Sequence, residues 1–222
     1  MPGPLIVVTG TGTGIGKTHV ACAALRRAAE HGPVLGYKPV ESGLDGPGPS
    51  DAARLEAAST FHVQQSPGLR LRAPLSPHLA ARLEGKRLDW SEIVRFVTNT
   101  RAAGVPMLLE LPGGLFSPLA DGFRSVDALA SLEPTATVLL APNRLGVLHD
   151  IGATLAGAKS LGAVLHAVGL VDPDTADDST AHNPAEVQTL IDSAWLGVWP
   201  RGSGAELSRC DATAALVRLW LP

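Results

Sequence analysis

Val7-Val8-Thr9-Gly10-Thr11-Gly12-Thr13-Gly14-Ile15-Gly16-Lys17-Thr18 is the stretch whose reading decides the fold. An apolar run from Leu5 to Val8 predicts a buried strand. Every second residue from Gly10 to Gly16 is glycine, and an alanine-rich helical stretch runs from His19 to Ala29. Strand, glycine loop and helix in that order predict a phosphate-binding loop. Successive backbone N–H groups turn inward toward phosphate oxygens, and the positive end of the helix dipole adds to them. Lys17 is placed to neutralise β and γ phosphates, and the Thr18 hydroxyl to complete a Mg²⁺ shell. The first glycine stands one residue earlier than the G-x-x-x-x-G-K-[ST] pattern requires, because Thr11 occupies that place and Gly10 precedes it.

Outward from the loop, Pro33 to Val40 reads as a second strand ending in Lys38-Pro39-Val40-Glu41-Ser42-Gly43. Ligands of open α/β sheets gather at the carboxyl ends of strands, so Lys38 and Ser42 are expected to face the crevice of the phosphate loop. Ser50-Asp51 signals the start of a helix over Ala52 to Ala58. Asp51 has two readings, a helix start or a ligand in or behind a Mg²⁺ shell. Ser76-Pro77-His78 opens a helix to Glu84, with His78 in its first turn. Trp90 to Ala103 has helical spacing, with Ser91 as its cap. Pro106 to Leu111 reads as a buried strand whose Glu110 precedes Pro112-Gly113-Gly114. A carboxylate at the end of an apolar strand is costly unless a metal or a cation meets it.

Strands over Ala136 to Ala141, Ala163 to Val171 and Ala194 to Trp199 then alternate with helices over Val147 to Ser160, Pro184 to Asp192 and Asp211 to Trp220. This alternation predicts an α/β fold of the P-loop NTPase type, a parallel sheet with helices on both faces. No Pro/Gly/Ser linker divides the 222 residues, so a single domain over 1–222 is expected. Asp172 to Asn183 is polar and acidic and reads as a mobile surface loop.

A net charge of −3 gives no basic surface for nucleic acid. Cys22 and Cys210 lie far apart without metal-ligand neighbours, as in reducing compartments. The first apolar run is too short for a signal peptide, and no segment reaches the length of a membrane span. A cytoplasmic protein is expected. Only four of the 18 basic residues are lysines, which marks Lys17 and Lys38 as places where a compact point charge is wanted.

Four stretches, Gly10 to Thr18, Lys38 to Gly43, Ser76-Pro77-His78 and Glu110 before Gly113-Gly114, together resemble the dethiobiotin synthetase family. Leu196-Gly197-Val198-Trp199-Pro200 is similar to that family's late Leu-Gly-x-Ile-Pro turn beside the nucleotide base. The longer phosphate loop is also the family's. The resemblance implies ATP and Mg²⁺ as co-substrate and cofactor, with 7,8-diaminononanoate and CO₂ as substrates. It implies that Lys17 and Lys38 stabilise the carbamate formed from CO₂, and that Thr13 and Ser42 hold the diamine. It implies nucleotide contacts from Gly14, Ile15, Gly16, Lys17, Thr18, His19, Asp51, Glu110, Gly113 and Pro200, with Thr18, Asp51 and Glu110 as metal ligands. It further implies a homodimer.

The chain departs from the family in three places. Glu110-Leu111-Pro112-Gly113-Gly114 replaces Glu-Gly-Ala-Gly-Gly, so a leucine side chain and an imide nitrogen are expected near the ligand. His149-Asp150 stands where an asparagine-histidine pair is usual. Asp172-Pro173-Asp174 replaces the asparagine that reads adenine, which leaves room for nucleoside triphosphates other than ATP. Two other readings stand beside the family one. A related enzyme with altered substrate is one. The other is a deviant-loop ATPase switch, which calls for an extra lysine early in the loop, where Thr9 to Gly12 has none.

Overall fold

The computed structural model describes residues 1–221. Strands β1 (Leu5–Gly10), β2 (Leu35–Tyr37), β5 (Met107–Glu110), β8 (Ala136–Pro142), β9 (Ala167–Val171) and β10 (Ala194–Trp199) form one parallel sheet. Its order is β10-β9-β8-β1-β5-β2. Two-residue strands β3 (Val40–Glu41) and β4 (Leu69–Arg70) pair in a side sheet, and β6 (Pro118–Ala120) and β7 (Phe123–Arg124) form a hairpin. The helices are α1 (Lys17–Ala28), α2 (Asp51–Ala58), α3 (Pro77–Leu83), α4 (Trp90–Ala102), α5 (Ser125–Leu132), α6 (Val147–Ser160), α7 (Asn183–Leu190), α8 (Gly204–Arg209) and α9 (Asp211–Arg218).

The apolar strands are buried because both sheet faces are covered. Ile6 and Val8 point into a core built with α1, α2, α8 and α9. Leu5 and Val7 point into the opposite core, with α4, α5, α6 and α7. Such two-sided burial is what a continuous Leu-Ile-Val run in a parallel strand encodes. The strand order turns back beside β1, so the crevice at its carboxyl end is where a ligand site is expected in a doubly wound sheet.

Register places the polar residues. Val8 of β1 pairs with Glu110 of β5, and Leu109 pairs with Tyr37 of β2. Lys38, next after Tyr37, therefore emerges beside Glu110. The expected second strand ends at Tyr37; Val40 and Glu41 turn away to pair with Leu69 and Arg70. The strand expected from Ala163 begins only at Ala167, since 161–166 first close the turn after α6.

Three further expectations are corrected. Asp89, not Ser91, caps α4: its carboxylate accepts from Glu92 N at 3.0 Å, and Ser91 Oγ donates to it at 2.6 Å. The helix starts at Trp90, so Asp89 stands three residues before the Glu92 amide in the capping position, and Ser91 already lies within the first turn. Asp172 to Asn183 is tied down. Buried Asn143 donates to Asp172 and to the Thr180 carbonyl, Asn183 donates to Asn143, and Asp177 accepts from Leu145 N and Ser179. The hairpin β6–β7, α5 and α8 stand where the sequence reading placed no element. α5 begins at Asp127's grip on Arg124 N, 2.8 Å, and α8 at the mutual capping of Ser203 and Glu206.

Trp199, fully buried in β10, donates its indole N–H to Thr213 Oγ1 at 2.8 Å. Thr213 in turn donates to the Leu207 carbonyl at 2.7 Å, joining β10, α8 and α9. Thr213→Val keeps the shape and strands the buried Trp199 indole N–H, while the Leu207 carbonyl keeps Cys210 N at 3.3 Å, so urea unfolding is expected to show a loss of about 1–3 kcal/mol. A loss below about 0.5 kcal/mol would refute this role for the hydroxyl.

Candidate functional site

The loop from Thr11 to Gly16 joins β1 to α1. Gly14 and Gly16 have φ of +72° and +92°, the left-handed region that glycine enters without strain. Gly10 is extended, and its reason is different: a methyl group there would stand 2.4 Å from Ile15 Cδ1 and 3.2 Å from the Lys17 stem. The early glycine thus lets the lengthened loop fold back on its own root.

The Gly113-Gly114 turn locks onto this loop. Leu115 N donates to the Gly10 carbonyl at 2.8 Å, and a methyl group on Gly114 would stand 2.9 Å from the Thr11 carbonyl oxygen. Leu111 does not enter the site. It continues the ladder, its N–H donating to Val8 O at 2.9 Å, and its side chain is fully buried in the α4–α7 core. Pro112 does reach the cavity wall.

A cavity of about 660 Å³ gathers the expected residues: Thr13 to His19, Lys38, Ser42, Asp51, Glu110 and Gly113 all line it. Pro200 is not on its wall; the next residue, Arg201, is. Arg201 pairs with Asp174 at 3.2 Å, and His19 Nε2 lies 3.2 Å from the Gly202 carbonyl, so the loop after β10 closes that end of the cavity. His149 lies on the exposed surface of α6, and Asp150 accepts from Arg144 at 3.1 Å.

At the floor, the Lys38 ammonium donates to Glu110 at 2.5 Å and to Asp51 at 2.9 Å. Thr18 Oγ1 donates to the same Glu110 oxygen at 3.0 Å. Lys17 Nζ donates to the Gly12 carbonyl at 2.7 Å. The two lysines are both buried and are driven in opposite directions. Burial lowers the Lys17 ammonium to about 8, aided by Lys38 and opposed by Glu110 and Asp51. Burial also works against Lys38, but Glu110 and Asp51 outweigh it and hold the ammonium above its ordinary value. The difference is contact: Lys38 touches two carboxylates, Lys17 a neutral carbonyl. For Asp51 burial is overcome by Lys38, and the carboxyl lies below the usual range.

Glu110 Oε2 is fully buried and has no hydrogen-bond partner. An orphaned carboxylate oxygen beside a threonine hydroxyl and a second carboxylate is a hard-oxygen donor set that fits Mg²⁺, which takes one or two carboxylates and completes its shell with phosphates and water. Glu41 is the residue the sequence reading passed over. Its carboxylate accepts from Asp51 N at 2.5 Å and Ala52 N at 3.2 Å. No local pattern announces it, because donor and acceptor are ten residues apart across a Gly/Pro loop.

Ligand-free Lys17 loses its charge as pH rises through about 8, while Lys38 keeps its own. Triphosphate affinity is therefore expected to hold on the acid side and to decline above about pH 8, read by calorimetric titration. A profile that stays flat to about pH 10 would contradict this assignment.

Comparison with known proteins gives the family and the fold. A family model described as an AAA domain matches residues 5–203. A Caulobacter sp. strain K31 protein named ATP-dependent dethiobiotin synthetase BioD is 36% identical over 214 residues, 90% of this chain and 89% of that one. A protein of the same name from Anaeromyxobacter sp. strain Fw109-5 is 34% identical over 82% of this chain and 83% of its own. A ParA family ATPase from Chlorobium tepidum TLS superposes with a TM-score of 0.57 over 98% of both chains. At 12% identity, that likeness is one of fold.

Proposed function

The chain belongs to the ATP-dependent dethiobiotin synthetase family, and from that premise we propose that it makes dethiobiotin from 7,8-diaminononanoate, CO₂ and ATP. It is an ATP-dependent ligase of biotin biosynthesis. The observation that carries the proposal is the pair Lys17 and Lys38, set with Glu110, Asp51 and Thr18 around one cavity floor.

The reaction begins when one amine of the diamine adds to CO₂ and loses a proton, giving a carbamate. A carbamate oxygen attacks the γ-phosphorus, and ADP leaves. The second amine attacks the carbonyl of the carbamic–phosphoric anhydride, loses its proton and expels phosphate as the ureido ring closes. Both reactants are anions, so fixed cations and N–H dipoles matter more than a base. Lys38, between β2 and the phosphate loop, faces the carbamate, and Thr13 and Ser42 on the cavity wall hold the diamine. Lys17 and the loop amides through His19 hold the triphosphate, with Gly113 beside them and the Pro200 turn at the nucleoside end. Thr18, Asp51 and Glu110 would hold Mg²⁺, which would supply charge neutralisation for the triphosphate.

The finer reading includes a homodimer and a cytoplasmic setting, with residues 1–222 acting as one domain. Exposed Gly152, Ala153 and Ala156 on α6, with Leu145 before the helix and Phe116 against Gly157, support a self-complementary surface. Among the described residues no helix is long and apolar enough to cross a membrane. The switch-ATPase reading draws on fold likeness alone.

Lys38→Ala is expected to lower dethiobiotin formation, followed by mass spectrometry, by about a hundredfold or more while ATP binding measured in the presence of a chelator stays largely intact. Loss of ATP binding in that variant would move Lys38 to the phosphate side and contradict its place beside the carbamate.

A further inference from the structure

α2 presents Asp51 at its first helical position, yet the chain leading into it, 45–49, is an exposed Gly/Pro loop. What anchors the helix start is Glu41. The backbone of Glu41 is fixed in the side sheet: it pairs with Arg70, and Leu71 N donates to its carbonyl at 2.9 Å. Val40 beside it is fully buried in a small core with Leu71 and Ala80. The Glu41 side chain is 7% exposed. It makes no ion pair among the described residues; its two oxygens go to the Asp51 and Ala52 amides. Ser50 Oγ takes the next amide, Ala53 N, at 3.1 Å.

A helix start has several amides without intrahelical partners, and a carboxylate there is doubly favoured by hydrogen bonds and the helix dipole. Spending a buried carboxylate on two of them fixes where the first residue points. Asp51 is therefore gripped twice, by Glu41 through its amide and by Lys38 through its carboxylate at 2.9 Å. We infer that Glu41 is a positioning residue that sets Asp51 as a ligand for Mg²⁺-ATP. The inference rests on the reading of Asp51 given above.

The test separates positioning from stability. Ser50→Ala removes a cap from the same helix without touching the Asp51 amide, and serves as the matched control. ATP binding by the full chain is measured by calorimetry with Mg²⁺ and with a chelator, beside thermal melts. Glu41→Ala is expected to lose about tenfold or more of the Mg²⁺-dependent gain in ATP affinity, the usual scale for a group that orients a metal ligand. Its affinity in chelator should stay near that of the parent protein, as should its KM for the diamine. Ser50→Ala should melt at a lower temperature and keep the gain; Glu41→Gln, with one acceptor oxygen left, should fall between. An unchanged gain in Glu41→Ala, or an equal loss in Ser50→Ala, would overturn the inference. Asp51→Ala must lose the gain as well. If it keeps it, Asp51 is no ligand, and both that reading and the role of Glu41 fall.

Discussion

The site depends on one buried cation. Lys38 is 5% exposed and sits between Glu110, 1% exposed, and the half-buried Asp51. Desolvating such charges costs several kcal/mol per ion, of which mutual attraction returns only part, so the cluster holds because its partners come from a rigid frame. Glu110 is delivered by β5, Lys38 by the end of β2, and Asp51 by α2. With Lys17 and Lys38 set against Glu110 and Asp51, the cluster is formally neutral. In the proposed reaction a triphosphate and a carbamate would meet two cations already fixed in place, which is the condition for stabilising charge without reorganisation.

That frame absorbs the chain's own substitutions. Leu111 extends the buried alternation of β5 by one residue and fills the α4–α7 core, so its side chain leaves the ligand space alone. The two glycines after Pro112 keep the turn close to the phosphate loop, where the room beside Thr11 O and Ser117 Oγ is too small for a side chain. Nearer the loop after β10 the anchoring is looser. Arg201 meets Asp174 in an exposed ion pair, a kind of contact worth little in water.

Much of this was legible in the residues. The alternating glycines before Lys17-Thr18 announce a phosphate loop, and uninterrupted apolar runs announce strands covered on both faces. Glu110 was legible because a carboxylate ending such a run demands a partner. What escaped was long-range or small. Val40–Glu41 finds Leu69–Arg70 across 29 residues, and two-residue strands have no period to detect. The acidic 172–183 segment looks mobile by composition, yet Asn143, polar and buried, organises it from another loop. The helical spacing of α4 begins at Trp90, so the capping position falls to Asp89 before it, and Ser91 lies already inside the first turn. Glu41 stood inside a quoted motif without a role, since its acceptors are satisfied only once α2 is folded against it.

The most direct test is to supply the purified protein with Mg²⁺-ATP and bicarbonate, with and without 7,8-diaminononanoate, and to follow phosphate and dethiobiotin together. Phosphate release that requires the diamine and matches dethiobiotin mole for mole is the predicted result. Hydrolysis that ignores the diamine and yields no dethiobiotin would contradict it, leaving a nucleotide-binding loop attached to some other task.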